Sequence, residues 1–300
     1  MGDRVSSALL LVNPVSGGGK AIKQYERVAK QLTDGGYQLR IHISVDQADL
    51  SNQVLAATEP IIFLLAGDGS LRAAAEVIVR NELTVQLAPL PAGRGNDFCA
   101  SLGIPKNPHT ALAQLLTEPK ALKVDVISIN NEFIALGAIS IGIDANAAAI
   151  SVEIQQQGNT WLKGAPLYLV SAIRALARWR SKEVVVSIDG GPATIRKIWL
   201  FVVSNSGQFG GGMKISPTSK LTDGQLEIIA VGEVTKFDFI KTLPKVFFGK
   251  HMNHPKLELL TANEVFIDSM EQILSFADGE PICHTPLKIK VISAALNILK

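Results

Sequence analysis

Apolar and polar residues follow one pattern in the first part of the chain and another after about Lys123. In the first part, short apolar runs such as Ala8–Val12 and Pro60–Leu65 alternate with stretches of helical periodicity such as Ala21–Leu32. Strands that alternate with helices of this length predict a doubly wound parallel sheet. Ligands of such sheets bind at the carboxyl ends of the strands, so the loops at that edge are the first candidates for a site.

The second part of the chain is rich in short strands that follow one another directly. Glu183–Ile188 and Ala193–Val203 flank Asp189–Gly191, and a similar pair of runs surrounds Asn130–Asn131. Turn residues that tolerate a positive φ between such runs predict β-hairpins. We therefore predict an α/β domain over residues 1–124 and a mainly antiparallel β domain over 125–300, with the last few residues able to return to the first domain.

Two stretches of the second part combine helical periodicity with basic side chains. Pro166–Lys182 carries Arg174, Arg178 and its terminal lysine beside an apolar stripe, and Phe237–Phe248 carries several lysines. Basic amphipathic helices either lie on an anionic membrane surface or expose a solvated basic face, and the sequence leaves both interpretations open. Pro244 predicts a kink or an early end of the second helix.

Composition and charge exclude several classes of protein. The chain has 300 residues, of which 47% are hydrophobic, and a formal net charge of +2, too small to make nucleic acid the expected partner. Cys99 and Cys283 form neither a disulfide framework nor a CxxC motif, as in a reducing cytoplasm. The first residues lack the apolar core of a signal peptide, and no apolar run reaches the roughly 18 residues of a membrane span. We expect a cytoplasmic protein whose contact with membranes is peripheral.

The stretch Ala66–Ser70 combines features that suit a phosphate chain. It follows the apolar run Pro60–Leu65 and precedes a helical pattern that extends to about Arg80. Its two glycines permit a sharp turn, and Ser70 is a favourable N-cap for a helix whose N-terminus attracts anions. Asp68 at the tip suits a phosphate chain that carries Mg²⁺, because the metal offsets the repulsion between the acid and the phosphates.

Two further glycine-rich loops follow predicted strands. Leu90–Phe98 follows a short strand and ends at a predicted helix start, and Asn13–Lys20 follows the first strand. The loop Asn13–Lys20 is not a P-loop, because Pro14 stands where that motif needs glycine and Ala21 where it needs serine or threonine. Residues 67–72 also fail as a dinucleotide-binding GxGxxG, since Arg72 replaces its last glycine. The sequence therefore gives little support for a dinucleotide-dependent dehydrogenase.

Several motifs, taken together and in order, resemble the diacylglycerol kinase catalytic domain family, which also holds the sphingosine and ceramide kinases and the bacterial lipid kinases. They span nearly the whole chain, at Leu11–Gly17, Ala66–Ser70, Gly93–Phe98, Ile141–Asp144, Leu221–Gly224 and Ala277–Glu280. The resemblance implies a nucleotide-binding domain similar to those of NAD kinases and diacylglycerol kinases, followed by a β-rich domain for the lipid substrate. It further implies ATP-dependent transfer of the γ-phosphate to a lipid hydroxyl at the membrane surface, most directly that of diacylglycerol or a related lipid.

The resemblance also implies roles for individual residues. Asp68, Asp97 and Asp125 would hold the catalytic Mg²⁺, mostly through water, because Mg²⁺ retains several waters. Glu280 would act as the general base that takes the proton of the lipid hydroxyl, with Asp68 as its catalytic partner and Asp278 as its rival. The nucleotide would contact the loops of the first domain at Asn13, Ser44, Ala66, Gly67, Asp68, Gly69, Ser70, Leu71, Arg72, Gly93 and Arg94.

A second, structural Mg²⁺ site is implied at Lys220–Gln225. By resemblance to similar bacterial lipid kinases, Asp223 would supply a carboxylate, and Lys220 and Gln225 would supply backbone carbonyls. Oxygen-only ligands of this kind suit Mg²⁺. The spacing of these residues by itself predicts only a turn at Asp223–Gly224.

The chain departs from the family pattern in its nucleotide loops. Ala66 replaces a glycine, Ser70–Ala73 stands where the family has Thr-x-Asn-Glu, and Arg94 replaces a threonine. Arg94 can still clamp a phosphate, because a guanidinium binds phosphate oxygens in pairs. The departures leave two alternatives open, a kinase of a soluble acceptor similar to the NAD kinases and a non-catalytic lipid-binding module. The lipid headgroup and the formation of a homodimer are also left open.

Overall fold

The computed structural model describes residues 6–156 and 165–300, which separate into two units. The first unit holds the described residues up to Val124 together with Ala294–Lys300, and the second holds those of Asp125–Ser293. In chain order the elements are β1 (Ser6–Val12), α1 (Ser16–Asp34), β2 (Tyr37–Ile43), α2 (Gln47–Leu55), β3 (Ile61–Ala66), α3 (Asp68–Arg80), β4 (Gln86–Pro91), α4 (Asp97–Ser101), α5 (Pro108–Thr117), β5 (Ala121–Ile129), β6 (Phe133–Ala135), β7 (Ala138–Gly142), α6 (Ile143–Gln156), α7 (Ala165–Arg178), β8 (Lys182–Ile188), β9 (Thr194–Ile198), β10 (Leu200–Ser204), β11 (Leu226–Val231), α8 (Lys236–Val246), β12 (Leu257–Ala262), β13 (Glu264–Asp268), β14 (Leu274–Ala277), β15 (Glu280–His284) and β16 (Leu287–Leu299).

The first unit is built on a parallel sheet with the strand order β2-β1-β3-β4-β16. Every residue of β3 is buried, which explains why its sequence is an unbroken apolar run rather than an alternating one. One face of the sheet packs with α1 and α5 in a cluster that includes Leu10, Phe63 and Leu112. The predicted doubly wound sheet is confirmed, and it places the loops after β1, β3 and β4 at one edge.

The second unit contains two antiparallel sheets. One has the order β12-β11-β10-β7-β14-β15, and in the other β16 pairs with β13, β13 with β8, and β8 with β9. Apolar residues of both sheets, such as Phe201, Ile228 and Val265, share one core cluster. A second cluster joins the opposite face of the first sheet to α6, α7 and α8 through residues such as Val202 and Leu243. The predicted β-rich second domain is thus confirmed.

The hairpin predictions were right in kind and wrong in one detail. β5 pairs with β6 around Asn130–Asn131, and β8 pairs with β9, both antiparallel. The run Ala193–Val203, predicted as a single strand, divides at Trp199 into β9 and β10, which belong to different sheets. The Trp199 N–H donates to the carbonyl of Val231 and its own carbonyl accepts from Ile143, so this residue fixes the change of sheet. The polar residues Thr194, Arg196 and Lys197 all lie in β9, so the change from an alternating to a continuous apolar pattern at Ile198 was the available signal for this division.

The predicted helices of the second unit also need correction at their ends. α7 ends at Arg178, and Lys182 is the first residue of β8, where it forms an ion pair with Glu271. The side chain of Arg178 lies outside the described side chains. α8 contains Pro244 and ends at Val246, two residues later, so the proline shortens the predicted helix. Among the residues that the structure describes, no helix is long and apolar enough to cross a membrane.

Candidate functional site

Three loops of the first unit meet at the carboxyl edge of its parallel sheet. Asn13 after β1 donates from its side-chain amide to Ser70 Oγ at 2.7 Å, which ties the first loop to the start of α3. The backbone N–H of Asn13 donates to Leu65, and that of Ala92 donates to Ala66, so all three strand ends are joined. The structure therefore brings together the glycine loops that the sequence predicts to bind a nucleotide.

Close backbone approach explains the glycines of these loops. A Cβ added at Gly93 would lie 2.6 Å from the Cα of Gly67, and one added at Gly17 would lie 2.2 Å from the carbonyl oxygen of Ala92. Any side chain at these positions would force the loops apart. Gly17 and the two glycines after it also have φ values of +62°, +72° and +84°, which favour glycine. The edge thus presents backbone that a phosphate chain can approach.

The Asp68 carboxylate joins the two acidic loops. Asp68 Oδ2 accepts a hydrogen bond of 2.6 Å from the backbone N–H of Asn96, and its Oδ1 accepts one of 3.4 Å from Phe98. A Cβ at Gly95 would lie 3.0 Å from Asp68 Oδ2 and 3.5 Å from Asp97 Oδ2, so both carboxylates border that glycine. Two carboxylates beside a glycine loop fit a Mg²⁺ held largely through water.

Asn96 shapes the second acidic loop. It lies in the left-handed region with a φ of +58°, where asparagine is tolerated better than most residues. Its side-chain oxygen accepts from the N–H of Gly93 at 2.9 Å, and its side-chain nitrogen donates to the carbonyl of the same residue at 3.1 Å. This closed ring aims the Asn96 N–H at Asp68. Asparagine beside glycine was the available signal for this role, which the sequence analysis did not assign.

The two arginines of the nucleotide loops have different surroundings. Arg94 is exposed, and a Cβ at Gly18 would lie 3.9 Å from its guanidinium, so it borders the first glycine loop. Arg72 is 7% exposed and donates to the Glu76 carboxylate at 3.0 Å within α3. This geometry fits Arg94 as a phosphate contact and gives Arg72 a contact within its own helix. Ser44, a further predicted contact, is buried and bonds through its N–H and Oγ to the carbonyl of Val12.

Asp125 lies in the second unit, beside the loop predicted to hold a structural metal. Asp125 Oδ2 accepts from the Gly224 N–H at 2.8 Å, and its backbone N–H donates to Leu221. Asp223 is exposed, and its Oδ1 accepts from Gln225 at 3.1 Å. The structure thus brings together Asp125 and the loop of Lys220–Gln225, which the sequence analysis had given to different metal ions.

The chemistry of this loop fits Mg²⁺ with few protein ligands. Within the described ranges 6–156 and 165–300, no group of three or more histidine, cysteine or acidic side chains could hold a metal by itself. An exposed carboxylate with backbone carbonyls and waters, as predicted at Asp223, Lys220 and Gln225, is an oxygen-only set of the kind that Mg²⁺ accepts. The assignment of these three residues as ligands of a structural Mg²⁺ therefore stays a prediction. The loop is compatible with it, because such a site needs only one carboxylate side chain.

The acidic turn between β14 and β15 separates its two carboxylates. Asp278 and Gly279 form the turn with φ values of +49° and +86°, and Glu280 is the first residue of β15. Asp278 accepts hydrogen bonds from three consecutive backbone N–H groups, those of Leu136, Gly137 and Ala138, at 2.7, 2.8 and 3.2 Å. Its carboxylate therefore holds the loop before β7, which makes Glu280 the better candidate for a proton acceptor.

A largely apolar cavity lies in the second unit, between the outer face of its first sheet and α6, α7 and α8. Its volume is about 70 Å³. Residues such as Leu200, Ile229 and Phe239 give it apolar walls. Asp144, from the first turn of α6, and His251 also line it.

Three residues that line the cavity each have a buried polar atom with no hydrogen-bond partner among the residues that the structure describes. The atoms are Asp144 Oδ1, Trp199 Nε1 and His251 Nδ1, and their residues are 4–7% exposed. Buried polar atoms without a partner are costly to the folded state. These three have almost no accessible surface, so they lie behind the apolar surface of the cavity and are not open to it.

Burial also changes the protonation of the cavity. It raises the pKa of Asp144 to about 7, with Ser140 and two backbone amides opposing the shift. Burial likewise raises the pKa of Tyr168, and the charge of Asp144 raises it further. Burial lowers the pKa of His251. Near neutral pH the Asp144 carboxyl is therefore protonated in part of the molecules, where it can donate a hydrogen bond, and ionised in the others, where it can only accept.

Comparison with known proteins gives the family. Residues 7–129 match the family model described as the diacylglycerol kinase catalytic domain, and residues 137–300 match the model described as the YegS C-terminal NAD kinase beta sandwich-like domain. The chain belongs to the diacylglycerol kinase family. The family is a lipid kinase family, which confirms the resemblance that the motifs carry.

Relatives of this family are similar to the chain over nearly its whole length. A diacylglycerol kinase of Mycobacterium tuberculosis (strain ATCC 25618 / H37Rv) is 24% identical, over 99% of this chain and 96% of the relative. A diacylglycerol kinase of Bacillus subtilis (strain 168) is 24% identical, over 91% of this chain and 89% of the relative. A crystal structure of a diacylglycerol kinase from Bacillus anthracis str. Sterne has a TM-score of 0.76 at 22% identity, covering 98% and 97% of the two chains, and it supports the fold.

The sequence analysis of this lipid kinase family member missed the polar part of the cavity. Ile141–Asp144 was recognised as a family motif but received no role, and Trp199 and His251 were not singled out. The signal available for Asp144 was an acidic residue within an apolar stretch of small residues. Trp199 and His251 come from other elements, so only the fold brings them to the same wall.

Proposed function

We propose that this protein transfers the γ-phosphate of ATP to the hydroxyl of a lipid, most directly diacylglycerol or a related lipid. The observation that carries this proposal is the match of residues 7–129 and 137–300 to the two family models, together with relatives named diacylglycerol kinase over nearly the whole chain. The apolar cavity of the second unit, at about 70 Å³, is too small for a whole lipid and does not by itself select the acceptor.

The residues of the first unit would bind and orient the nucleotide. Backbone N–H groups of the glycine loops and the Arg94 guanidinium would meet the phosphates, because both donate to anionic oxygens. Asp68 and Asp97 would hold Mg²⁺ through waters, and the metal would offset the phosphate charge. Asp125, predicted to be a further Mg²⁺ ligand, accepts from the N–H of Gly224 within the second unit.

Glu280 would accept the proton of the lipid hydroxyl as its oxygen attacks the phosphorus. A carboxylate can take that role when its charge is retained at the working pH. Asp278 would hold the neighbouring loop through three backbone N–H groups. The cavity of the second unit, at about 70 Å³, would take at most a short apolar segment of the acceptor.

A phosphorylation assay with radiolabelled ATP tests this proposal. The protein would be incubated with mixed micelles of diacylglycerol, sphingoid lipids and phosphatidylglycerol, and separately with NAD and soluble sugars. We expect label in a lipid product and none in the soluble acceptors. Label on NAD would favour the soluble-acceptor alternative, and no label at all would favour the non-catalytic lipid-binding module.

The variant Asp68→Asn is the matched test of the nucleotide loop. We expect turnover to fall by at least about 10²-fold, because the variant loses a charge that would organise metal and phosphates. Its stability should change less than that of Asp278→Asn, because the amide oxygen can keep the 2.6 Å bond from Asn96 while the amide nitrogen faces only the weaker 3.4 Å donor, Phe98. Turnover close to that of the native protein at saturating Mg²⁺ would contradict the role of Asp68.

A further inference from the structure

Helix α8 is apolar on two opposite faces. Its inner face contains Leu243 and Val246, which are buried, and Phe239, which lines the cavity. On the other side Phe237 is 73% exposed and Ile240 is 50% exposed. A surface helix of a soluble domain normally needs only the inner apolar stripe, so the outer one requires a separate explanation.

The exposed residues of α8 form one continuous stripe. They recur at intervals of three and four positions, as residues on one side of a helix do. Phe248, just beyond the helix, continues the series and is 72% exposed. The stripe, which we call the α8 outer face, consists of Phe237, Ile240, Lys241, Pro244, Lys245 and Phe248.

The charges on and around the α8 outer face have one sign. Lys241 and Lys245 lie within it, and Lys250 and Lys214 are exposed close to its C-terminal end. In the described part of the chain, none of these four lysines pairs with a carboxylate. Lys236 is different, because its ammonium donates to the carbonyl of Ala177 at 2.8 Å at the end of α7.

The acidic groups near α8 are engaged elsewhere. Asp238, in the first turn of the helix, accepts from Oγ1 of the N-cap residue Thr235 at 2.9 Å, and it lines the cavity. Glu233 lies before the helix and accepts from Ser181. The outer face therefore combines exposed phenylalanines with uncompensated positive charge.

We propose that the α8 outer face binds an anionic lipid bilayer, with Phe237 and Phe248 entering the interface between headgroups and acyl chains. The lysines would be attracted to anionic headgroups, and each buried phenylalanine would leave water. A second copy of the chain is a poorer partner, because it would bring the same lysines together. The inference rests on the proposed function only in that the lipid acceptor would come from this bilayer.

The position of α8 gives this contact a consequence for the acceptor. The helix presents its outer face to the bilayer while its inner face forms a wall of the cavity that contains Asp144. A bilayer bound there would therefore lie one helix away from the cavity, which at about 70 Å³ admits a short apolar segment and not a whole lipid. This placement differs from a contact through α7, for which the sequence suggested Lys182, a residue that lies instead in β8.

Co-sedimentation with vesicles, without ATP, tests the proposal directly. The vesicles contain equal amounts of phosphatidylcholine and phosphatidylglycerol, and binding is compared with that of the double variant Phe237→Ser, Phe248→Ser. We expect the variant to bind at least about tenfold more weakly, since two large side chains lose their burial. The matched control is Ile195→Ser, Met270→Ser, which changes two apolar side chains of the same unit that are 70% and 103% exposed.

A second pair of variants tests the charges. Lys241→Gln, Lys245→Gln should bind these vesicles about fivefold more weakly for each lysine, which corresponds to about 1 kcal/mol per charge. The control Lys106→Gln, Lys197→Gln removes two exposed lysines from other elements and should bind as the native protein does. The native protein should also lose affinity at high salt and on vesicles of phosphatidylcholine alone.

Each contrary result has a defined meaning. Native-like vesicle binding by both α8 variants, or no binding by the native protein at low salt, would overturn the proposal. A dimer in sedimentation velocity that the phenylalanine variant dissociates, without vesicle binding, would assign the face to a second copy and also overturn it. Vesicle binding without phosphorylation of any lipid in micelles would leave this face in place and refute the kinase proposal instead.

Discussion

Asp278 and Glu280 show how two carboxylates of one turn can take different roles. Three backbone N–H groups donate to Asp278, while Glu280 begins β15 and is partly exposed. Both acids belong to the same family motif, so sequence alone kept them as rivals for the general base. The difference lies in contacts with Leu136–Ala138, which are distant in sequence and come together only in the fold.

Exchanging each of these carboxylates for its amide should separate the two roles. We expect Glu280→Gln to lower kcat by about 10²–10⁴-fold with little change in stability, because it removes the base and keeps the shape. Asp278→Asn should instead lower the free energy of unfolding by about 1–3 kcal/mol, since one amide nitrogen would face backbone donors. Steady-state kinetics and urea unfolding measure the two effects. An inactive, fully stable Asp278→Asn beside an active Glu280→Gln would transfer the role to Asp278.

Asp144 should make the stability of the protein depend on pH. Because burial raises its pKa from 3.8 to about 7, the folded protein holds a proton that the unfolded chain has released. The free energy of unfolding should therefore fall as the pH rises from about 4 to about 7, and level off above that range. His251 has the opposite effect, because burial lowers its pKa: its contribution to the free energy of unfolding rises with pH in the range below 6.5.

The variant Asp144→Asn isolates this contribution, since it cannot ionise and retains the other groups. Urea unfolding of both proteins across this pH range should show the variant gaining stability relative to the native protein as the pH rises. The difference should disappear at the acidic end. Parallel curves would mean that Asp144 keeps an ordinary pKa.

At the scale of elements, the loop of Lys220–Gln225 contacts a residue that is distant in sequence, Asp125. Gly224 has a φ of +70° and donates to Asp125, so the loop has a defined shape through its own contacts. A turn here was predictable from Asp223–Gly224. Its contact with Asp125 was not, because the two segments are far apart in sequence.

Asp223→Ala should remove a stabilisation by Mg²⁺. If the loop binds the ion only in the native state, the melting temperature of the native protein rises with Mg²⁺ concentration and that of the variant does not. Differential scanning calorimetry over a Mg²⁺ series measures this, with Asp34→Ala as a control at an exposed acid of the first unit. An equal Mg²⁺-dependent shift in Asp223→Ala and the native protein would remove the site from Asp223.

The elements that sequence predicted well are those whose pattern arises locally. β3 is a buried apolar run followed by a glycine turn, so the strand and the turn were evident from Pro60–Gly69. The predicted N-cap at Ser70 was wrong, because α3 begins at Asp68 with Gly67 as its N-cap and Ser70 lies within the first turn. The division at Trp199 was not predicted, because the alternating pattern of β9 and the continuous apolar pattern of β10 are both compatible with strand and follow each other without a turn residue. The cavity is a further case, since Asp144, Trp199 and His251 converge through contacts between elements.

At the scale of the whole molecule, the chain leaves the first unit once and returns to it at its end. β16 pairs with β13 in the second unit, and its last residues pair with β4 in the first, through Ile298 and Leu87. Lys120 and Lys300 exchange two backbone hydrogen bonds of 2.7 and 2.9 Å. The first unit is therefore discontinuous in sequence.

Ile298→Ala should destabilise the first unit. Its side chain is fully buried, so its truncation should lower the free energy of unfolding by about 2–5 kcal/mol. Ile292→Ala on the same strand is the control, because that side chain is 37% exposed and should lose less than about 1 kcal/mol. Urea unfolding of both variants provides the comparison. Equal losses would mean that the end of β16 adds little to the sheet.

The return of β16 has a consequence for biosynthesis. A ribosome releases β1 to β4 early, but the strand that pairs with β4 emerges only after the whole second unit has been made. Throughout that interval the backbone groups along that side of β4 have no partner from β16, and unpaired strand edges invite association with other chains. Nascent chains stalled within the second unit should therefore depend on chaperones more than chains stalled after Lys300.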